Sequence, residues 1–116
     1  MWNGLVDVRD VADAHIRAVE YLRAGEKTRA FNLGNSYGTT VKEAVDAARK
    51  VTNVDIRAVD APRRAGDPGR LVASCERIRT ELGWNPLYPD IETIIEHAYN
   101  WRRDHPEGYR TKKPIA

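Results

Sequence analysis

Apolar residues recur every three or four positions along four stretches of the chain, which predicts four amphipathic helices. The first begins near Asp10, whose carboxylate suits an N-cap, and ends at Gly25. The second opens on the capping-box sequence Thr40-Val-Lys-Glu43 and runs to about Val51, before Asn53. The apolar stripes are Val11, Ala14, Ala18, Val19 and Leu22 in the first helix, and Val41, Ala44, Val45, Ala48 and Val51 in the second.

The other two helices are predicted in the C-terminal half. Ser74 is the expected N-cap of a helix over residues 75–82, which Gly83 closes, and Trp84 follows as an expected core anchor. Asp90 is the expected N-cap of the last helix. That helix has the apolar stripe Ile91, Ile94, Ile95, Ala98 and Trp101, ends at about Asp104 and is stopped by His105-Pro106.

Short apolar runs between the helices predict strands. Alternation predicts strands over residues 5–8 and 54–59, a short strand over residues 29–34, and an extended segment over residues 71–73. Asn32, in the run over residues 29–34, is expected to form hydrogen bonds to neighbouring backbone through its side-chain amide. Four helices with short strands indicate a mixed α/β (α+β) fold without a complete doubly wound sheet.

Residues 61–70 read Ala-Pro-Arg-Arg-Ala-Gly-Asp-Pro-Gly-Arg, a composition that only a loop tolerates. Arg63, Arg64 and Arg70 carry permanently charged forks that suit phosphate or carboxylate. The two glycines would let a ligand approach the backbone, and Asp67 could orient an arginine or accept a hydrogen bond from a ligand hydroxyl. A solvated surface turn accounts for the same residues, so both interpretations stay open.

Composition narrows the class of protein. The chain has 116 residues, 41% of them hydrophobic, which suits one domain with a core. Its net charge of only +2 argues against a nucleic-acid partner. The one cysteine, Cys75, fits a reducing compartment, and neither a membrane span nor a signal peptide is evident. We therefore expect a soluble, cytoplasmic domain with neither a nucleic-acid nor a membrane partner.

The residues themselves predict no catalytic constellation. There is no metal-ligand spacing, nucleophile elbow, Walker lysine or Gly-x-Gly-x-x-Gly turn. His15 lies on the first predicted helix and Cys75 near the start of the third, each without partners at a useful spacing. We expect both to be ordinary packed or surface side chains. The chain thus has candidate binding chemistry in the arginine loop only.

Six short motifs follow one another along the chain. They are Val8-Arg-Asp-Val-Ala-Asp-Ala-His15, Phe31-Asn-Leu-Gly34, Thr40-Val-Lys-Glu43, Pro62-Arg-Arg-Ala-Gly-Asp67, Glu81-Leu-Gly-Trp84, and Trp101 with His105-Pro-Glu-Gly-Tyr109. In this order and at this spacing they resemble the C-terminal, substrate-binding part of the UDP-glucose 4-epimerases, which are extended short-chain dehydrogenases/reductases. The resemblance covers nearly the whole chain, and the loop with its two downstream motifs is fairly specific.

The resemblance implies roles for two loop residues. Arg64 matches the family arginine that contacts the diphosphate of a UDP-sugar, and Asp67 matches the aspartate near the ribose. Asn3 and Leu5 stand where the family usually has an arginine and a tyrosine, so one phosphate clamp and one stacking or hydrogen-bonding group are replaced. Asp7 stands where histidine is usual, as in related sugar-nucleotide enzymes, which leaves the sugar open.

The resemblance also implies a domain and a function. Residues 1–109 correspond to the substrate-binding subdomain of an extended Rossmann-type enzyme, and residues 110–116 to a basic tail expected to fray. The family's NAD-binding half and its Tyr-x-x-x-Lys pair precede the matched region, so no catalytic or cofactor residue is assigned.

The parent reaction is the NAD-dependent interconversion of UDP-glucose and UDP-galactose. We expect the chain to be a truncated form of such an enzyme, inactive alone and binding UDP-sugar weakly at most. The alternative is a non-enzymatic module that forms a homo-oligomer or associates with a dinucleotide-binding half.

Overall fold

Four helices and a small three-stranded sheet make up the fold over residues 2–111, the part of the chain that the computed structural model describes. The mixed α/β prediction is confirmed. The strands are β1 (Trp2–Asn3), β2 (Thr39–Thr40) and β3 (Arg70–Leu71). The helices are α1 (Val8–Arg23), α2 (Val41–Thr52), α3 (Glu76–Leu82) and α4 (Ile91–Asp104), followed by a 3₁₀ helix (Gly108–Thr111).

The sheet joins three distant parts of the chain, with β1 in the centre. Trp2 pairs with Thr40 in antiparallel β2 and with Arg70 in parallel β3. The N–H of Trp2 donates to the carbonyl of Gly69, and that of Gly4 donates to the carbonyl of Leu71, both at 2.9 Å. The end of the arginine loop is therefore fixed to the first strand.

Helix α1 begins three residues earlier than predicted. Asp7, not Asp10, is its N-cap, and the Asp7 carboxylate accepts the N–H of Arg9 at 2.9 Å. Asp10 lies in the first turn and is buried. Its carboxylate accepts the N–H groups of Leu87 (2.9 Å) and Tyr88 (3.0 Å), so it holds the turn before α4 instead of capping α1.

Helix α2 has the predicted ends. The capping box is complete, with Thr40 Oγ1 accepting the N–H of Glu43 at 3.1 Å and Glu43 Oε2 accepting the N–H of Thr40 at 3.2 Å. Asn53 ends the helix in the left-handed region, at φ 55°. The buried face is narrower than predicted, because Val41 is 55% exposed and Ala47 is the buried residue.

Helix α4 begins at the predicted cap, where Asp90 Oδ2 accepts the N–H of Thr93 at 3.2 Å. None of its residues is fully buried, and Ala98 and Trp101 at its C-terminal end are exposed. Lys50 of α2 donates to Glu92 at 2.9 Å, and this bond raises the pKa of Lys50. The predicted stripe is thus only half covered, by α2 on one side.

The core lies between α1 and α3. Its buried members are Ala14, Cys75, Ile78 and Trp84. Trp84 is completely buried, as predicted, and its indole N–H donates to the carbonyl of Asp10 at 2.8 Å. Helix α3 starts at Glu76, and Ser74 Oγ accepts the N–H of Glu76 at 3.3 Å although Cys75 occupies the N-cap position.

Three predicted strands do not form. Residues 5–7 lead into α1 and Val8 is its first residue, while residues 29–34 and 54–59 lie outside any sheet. Residues 29–34 make no backbone–backbone hydrogen bond within the described part of the chain. A strand needs a neighbouring strand, and alternation alone does not supply one. Of the predicted extended segment at residues 71–73, only Leu71 belongs to a strand.

The amide that braces the backbone belongs to Asn35, not Asn32. Asn35 is buried and its Nδ2 donates to the carbonyls of Leu5 (3.0 Å) and Pro89 (3.3 Å), while Asn32 is exposed. The predicted basic tail starts inside the 3₁₀ helix, and its residues 112–116 lie outside the described part of the chain.

Candidate functional site

The arginine loop is organised around Asp67. Arg64 Nε donates to Asp67 Oδ2 at 2.9 Å, and the N–H of Asp67 meets the carbonyl of Arg64 at 3.4 Å. Gly66 has φ 86°, the left-handed conformation that a glycine adopts without strain and that this turn requires. The sequence prediction that Asp67 orients an arginine therefore matches the local geometry of the loop.

The Arg64 side chain is open to solvent. It is 83% exposed, whereas the Asp67 side chain is 26% exposed. The ion pair uses only Nε, so within the described residues both terminal nitrogens of the guanidinium fork have no protein partner. Those are the two donors that a phosphate or carboxylate engages side by side. Asp67 Oδ1 is likewise left as an acceptor within the described residues.

Arg63 braces the same turn from the other side. Its Nη2 donates to the backbone carbonyl of Asp67 at 2.9 Å. With two guanidinium groups and one carboxylate, the turn has a net positive charge. Arg70 is exposed in β3 at the end of the loop. The three arginines thus differ in role. Arg63 stabilises the turn, Arg64 is held at Nε with its terminal nitrogens exposed, and Arg70 belongs to a strand.

Asn3 lies beside the end of this loop. The parallel register of β1 and β3 sets Asn3 opposite Leu71. The two residues line a cavity of about 430 Å³ together with Asn32, Gly34 and Ala73. Leu5 lines a different and apolar cavity of about 370 Å³, against α2 and Ile95 of α4. Asn3 lines both cavities, and the one that it shares with Leu71 adjoins the C-terminal end of the loop.

Several UDP-glucose 4-epimerases are similar to this chain. The UDP-glucose 4-epimerase of Halalkalibacterium halodurans is 50% identical over 107 residues, which cover 92% of this chain and 32% of that protein. A crystal structure of a UDP-glucose 4-epimerase superposes with a TM-score of 0.90 at 47% identity, covering 95% of this chain and 33% of that one. No family model matches.

A more distant structure carries ligands. The UDP-glucose 4-epimerase of Bifidobacterium longum in complex with NAD⁺ and UDP superposes with a TM-score of 0.77 at 26% identity, covering 90% of this chain and 31% of that one. This chain matches the C-terminal region of the UDP-glucose 4-epimerases. It spans about a third of the length of the curated relatives that it matches.

Both carboxylate oxygens of Asp7 are hydrogen-bonded within the protein. Besides capping α1, its carboxylate accepts Nδ1 of His97 at 2.8 Å, and the Asp7 side chain is only 1% exposed. Asp7 therefore links the start of α1 to the middle of α4. The sequence singled out His15 and overlooked His97, because nothing in the local pattern joins two residues 90 positions apart.

The two other polar residues considered in the sequence, His15 and Cys75, each form contacts with neighbouring protein groups. His15 is exposed and its Nδ1 donates to the carbonyl of Val11 at 2.7 Å. Cys75 is buried, with Ser36 Oγ at 3.5 Å and Arg79 Nη2 at 3.4 Å from its sulfur. Within residues 2–111, no three His, Cys, Asp or Glu side chains are grouped to hold a metal ion. No helix there is long and apolar enough to cross a membrane.

Proposed function

We propose that this chain provides the UDP-sugar-binding surface of a UDP-glucose 4-epimerase-like enzyme, with residues 1–109 as its substrate-binding domain. Arg64 engages the diphosphate, and Asp67 orients Arg64 and accepts a ribose hydroxyl. The observation that carries the proposal is the Arg64–Asp67 pair, in which a carboxylate fixes Nε at 2.9 Å and leaves an 83% exposed guanidinium fork.

The pair favours binding because it is already ordered. An arginine that a ligand must immobilise loses rotamer freedom, and that loss weakens binding. Here Asp67 holds the guanidinium, and Arg63 holds the backbone of Asp67, before any ligand arrives. The similarity to an epimerase structure in complex with NAD⁺ and UDP supports UDP as the first ligand to test.

Affinity of the chain alone is expected to be low. One open bidentate contact to phosphate contributes roughly 1.5–3 kcal/mol, and association and ordering costs offset much of it. Asn3 and Leu5 replace the family arginine and tyrosine, so they add no second phosphate clamp. We therefore expect a Kd near 1 mM, about −4 kcal/mol.

We assign neither an NAD site nor catalytic residues to this chain. The chain after Gly34 lacks a Gly-x-Gly-x-x-Gly turn, and a Cβ on Gly34 would lie 2.1 Å from the carbonyl oxygen of Ala73. This glycine therefore permits close packing of two protein segments. Tyr109 and Lys113 have Tyr-x-x-x-Lys spacing, but they lie at and beyond the end of the matched motifs. We propose that the isolated chain does not epimerise UDP-sugars.

Titration of UDP into the chain, followed by amide NMR, tests the binding site. Shifts should cluster at residues 63–67 and disappear in Arg64→Ala. Arg57→Ala is the matched control, because Arg57 is an exposed arginine on the segment that leads into the loop. No response at millimolar UDP, or equal shifts with sulfate and in Arg64→Ala, would refute the proposal. Turnover of UDP-galactose by the pure chain would refute the second part of it.

The second candidate function is docking to another protein surface, and the exposed apolar residues of α1 support it. One face of this helix is apolar and open, with Val8 74%, Ile16 60%, Val19 51% and Leu22 54% exposed. The radius of gyration is 17.3 Å, against roughly 13 Å for a compact domain of this length. A dinucleotide-binding half or a second copy of the chain would cover such a face.

Sedimentation velocity at micromolar concentration, with a hydrophobic dye, tests docking. Self-association or strong dye binding is the expected result. A clean monomer that binds no dye would contradict the docking function and leave the UDP site untouched, so the two proposals are separable.

A further inference from the structure

The segment that leads into the arginine loop is held at few points. Residues 54–60 form no strand, and most of them are exposed. Within the described residues, two groups of α2 hold this segment by hydrogen bonds. Thr52 Oγ1 accepts the N–H of Val54 at 3.3 Å, and Arg49 donates to the carbonyl of Ile56. The far end of the loop is fixed separately, through the bond between Trp2 and Gly69.

The Arg49 contact is the stronger of the two at the near end. Its Nε and Nη2 both donate to the Ile56 carbonyl, at 2.9 and 2.7 Å, so the guanidinium grips one oxygen with two donors. Its Nη1 lies 3.3 Å from Asp46 Oδ1, which fixes the plane of the guanidinium. Ile56 is partly buried and lines the apolar cavity together with Ala48 and Ile95. Residue 56 is therefore held through its carbonyl, by two donors of one guanidinium group.

We infer that Arg49 is a positioning residue for the arginine loop, an inference that rests on the proposed UDP site. The loop carries its own internal order through Arg63, Arg64 and Asp67. That order fixes the shape of the turn but not its place on the molecule. The Arg49–Ile56 clamp at one end and the β1–β3 pairing at the other set where the Arg64 fork stands.

A purely helical role of Arg49 predicts different behaviour. Arg49 lies in the last turn of α2, where a cation also stabilises the helix dipole. Lysine at this position keeps the charge and one donor but cannot grip the carbonyl with two. Methionine keeps the apolar stem and loses both the charge and the donors. The pair of variants therefore separates the dipole effect from the clamp.

The test is UDP affinity measured by NMR titration in Arg49→Met, Arg49→Lys and the control Arg57→Met. Arg57→Met removes a charge from the same segment without touching the Ile56 carbonyl. Arg49→Met should weaken UDP binding about tenfold, or ~1.4 kcal/mol. Arg49→Lys should keep the thermal stability of the wild type and bind UDP with intermediate affinity. Unchanged affinity in Arg49→Met, or an equal loss in Arg57→Met, would overturn the inference.

Amide NMR spectra of the variants without UDP test the position of the loop independently of UDP binding. Arg49→Met should displace the resonances of residues 57–67, while Arg49→Lys should displace them less. Changes confined to α2 would overturn the positioning role. If the wild-type chain shows no response to UDP, the proposed function fails, and the ligand-free spectra still decide whether Arg49 places the loop.

Discussion

Replacing Asp10 with asparagine should destabilise the fold far more than its conservative size suggests. The Asp10 carboxylate is buried and accepts two backbone N–H groups, from Leu87 at 2.9 Å and Tyr88 at 3.0 Å. These bonds hold the turn that joins Trp84 to α4. Asparagine retains one acceptor and places an amide N–H against the other backbone donor.

The magnitude follows from the two contacts. A hydrogen bond to a charged acceptor contributes roughly 1.5–3 kcal/mol, and a half-buried N–H that faces another donor adds a desolvation cost. We therefore expect Asp10→Asn to lower the free energy of unfolding by about 3 kcal/mol. In a domain of this length that change lowers the Tm by roughly 10 °C. The indole bond of Trp84 survives because it uses the Asp10 backbone carbonyl.

Urea unfolding followed by tryptophan fluorescence is a suitable assay, since Trp84 is fully buried beside the substituted residue. Asp13→Asn is the matched control. It makes the same chemical change one turn along α1, but Asp13 is 40% exposed and pairs with Arg17 at the surface. That control should cost less than about 0.5 kcal/mol. Equal stabilities of the two variants would refute the assignment of the turn to the Asp10 carboxylate.

Three further substitutions have defined outcomes. Thr40→Ala removes the side-chain half of the capping box and should cost about 1 kcal/mol, measured by circular dichroism during thermal unfolding. Gly34→Ala places a Cβ 2.1 Å from the carbonyl oxygen of Ala73 and should cost roughly 1–3 kcal/mol or more in urea unfolding. Gly66→Ala strains φ 86° in open space and should weaken UDP binding, whereas Gly25→Ala, at φ 88°, should lose similar stability without affecting UDP.

The helices could be predicted from the sequence because their ends are encoded locally. Thr40 and Glu43 exchange hydrogen bonds across three residues, and Thr93 donates to the Asp90 carboxylate across the same distance. The Asp10 cap was the wrong choice because Asp7, three residues earlier, is an equally good N-cap residue. Packing decides between them, since the Asp10 carboxylate is needed by Leu87 and Tyr88, residues that no local pattern connects to α1.

The strands could not be predicted in the same way. Alternation reports that a segment has one apolar side, but a ladder needs a second segment at the correct distance. Residues 29–34 are predicted as a short strand, yet no backbone in the described part of the chain pairs with them. The two-residue strands that do form, such as β1, are too short to leave any periodic signal.

In the arginine loop too, the contacts between near neighbours could be predicted, and the contacts with other elements could not. The Arg64–Asp67 pair is three residues apart, so its chemistry could be read from the sequence. The sequence analysis assigns no role to Arg49, because its link to Ile56 depends on how the chain turns at Asn53. The proposed ligand-binding side chain can therefore be selected from the sequence, whereas the proposed positioning residue can be selected only from the fold.

The hydrogen bonds and apolar contacts that the chain leaves unmade indicate where a partner would bind. In the described residues, every buried side-chain nitrogen or oxygen has a hydrogen-bond partner. The unmet requirements are of two other kinds, namely the unpaired backbone of residues 29–34 and the open apolar face of α1. A neighbouring sheet supplies both, because its edge strand pairs backbone and its face buries a helix. The proposed dinucleotide-binding partner is therefore expected to add to residues 29–34 and to pack on α1, and hydrogen exchange should show both protected only when that partner is present.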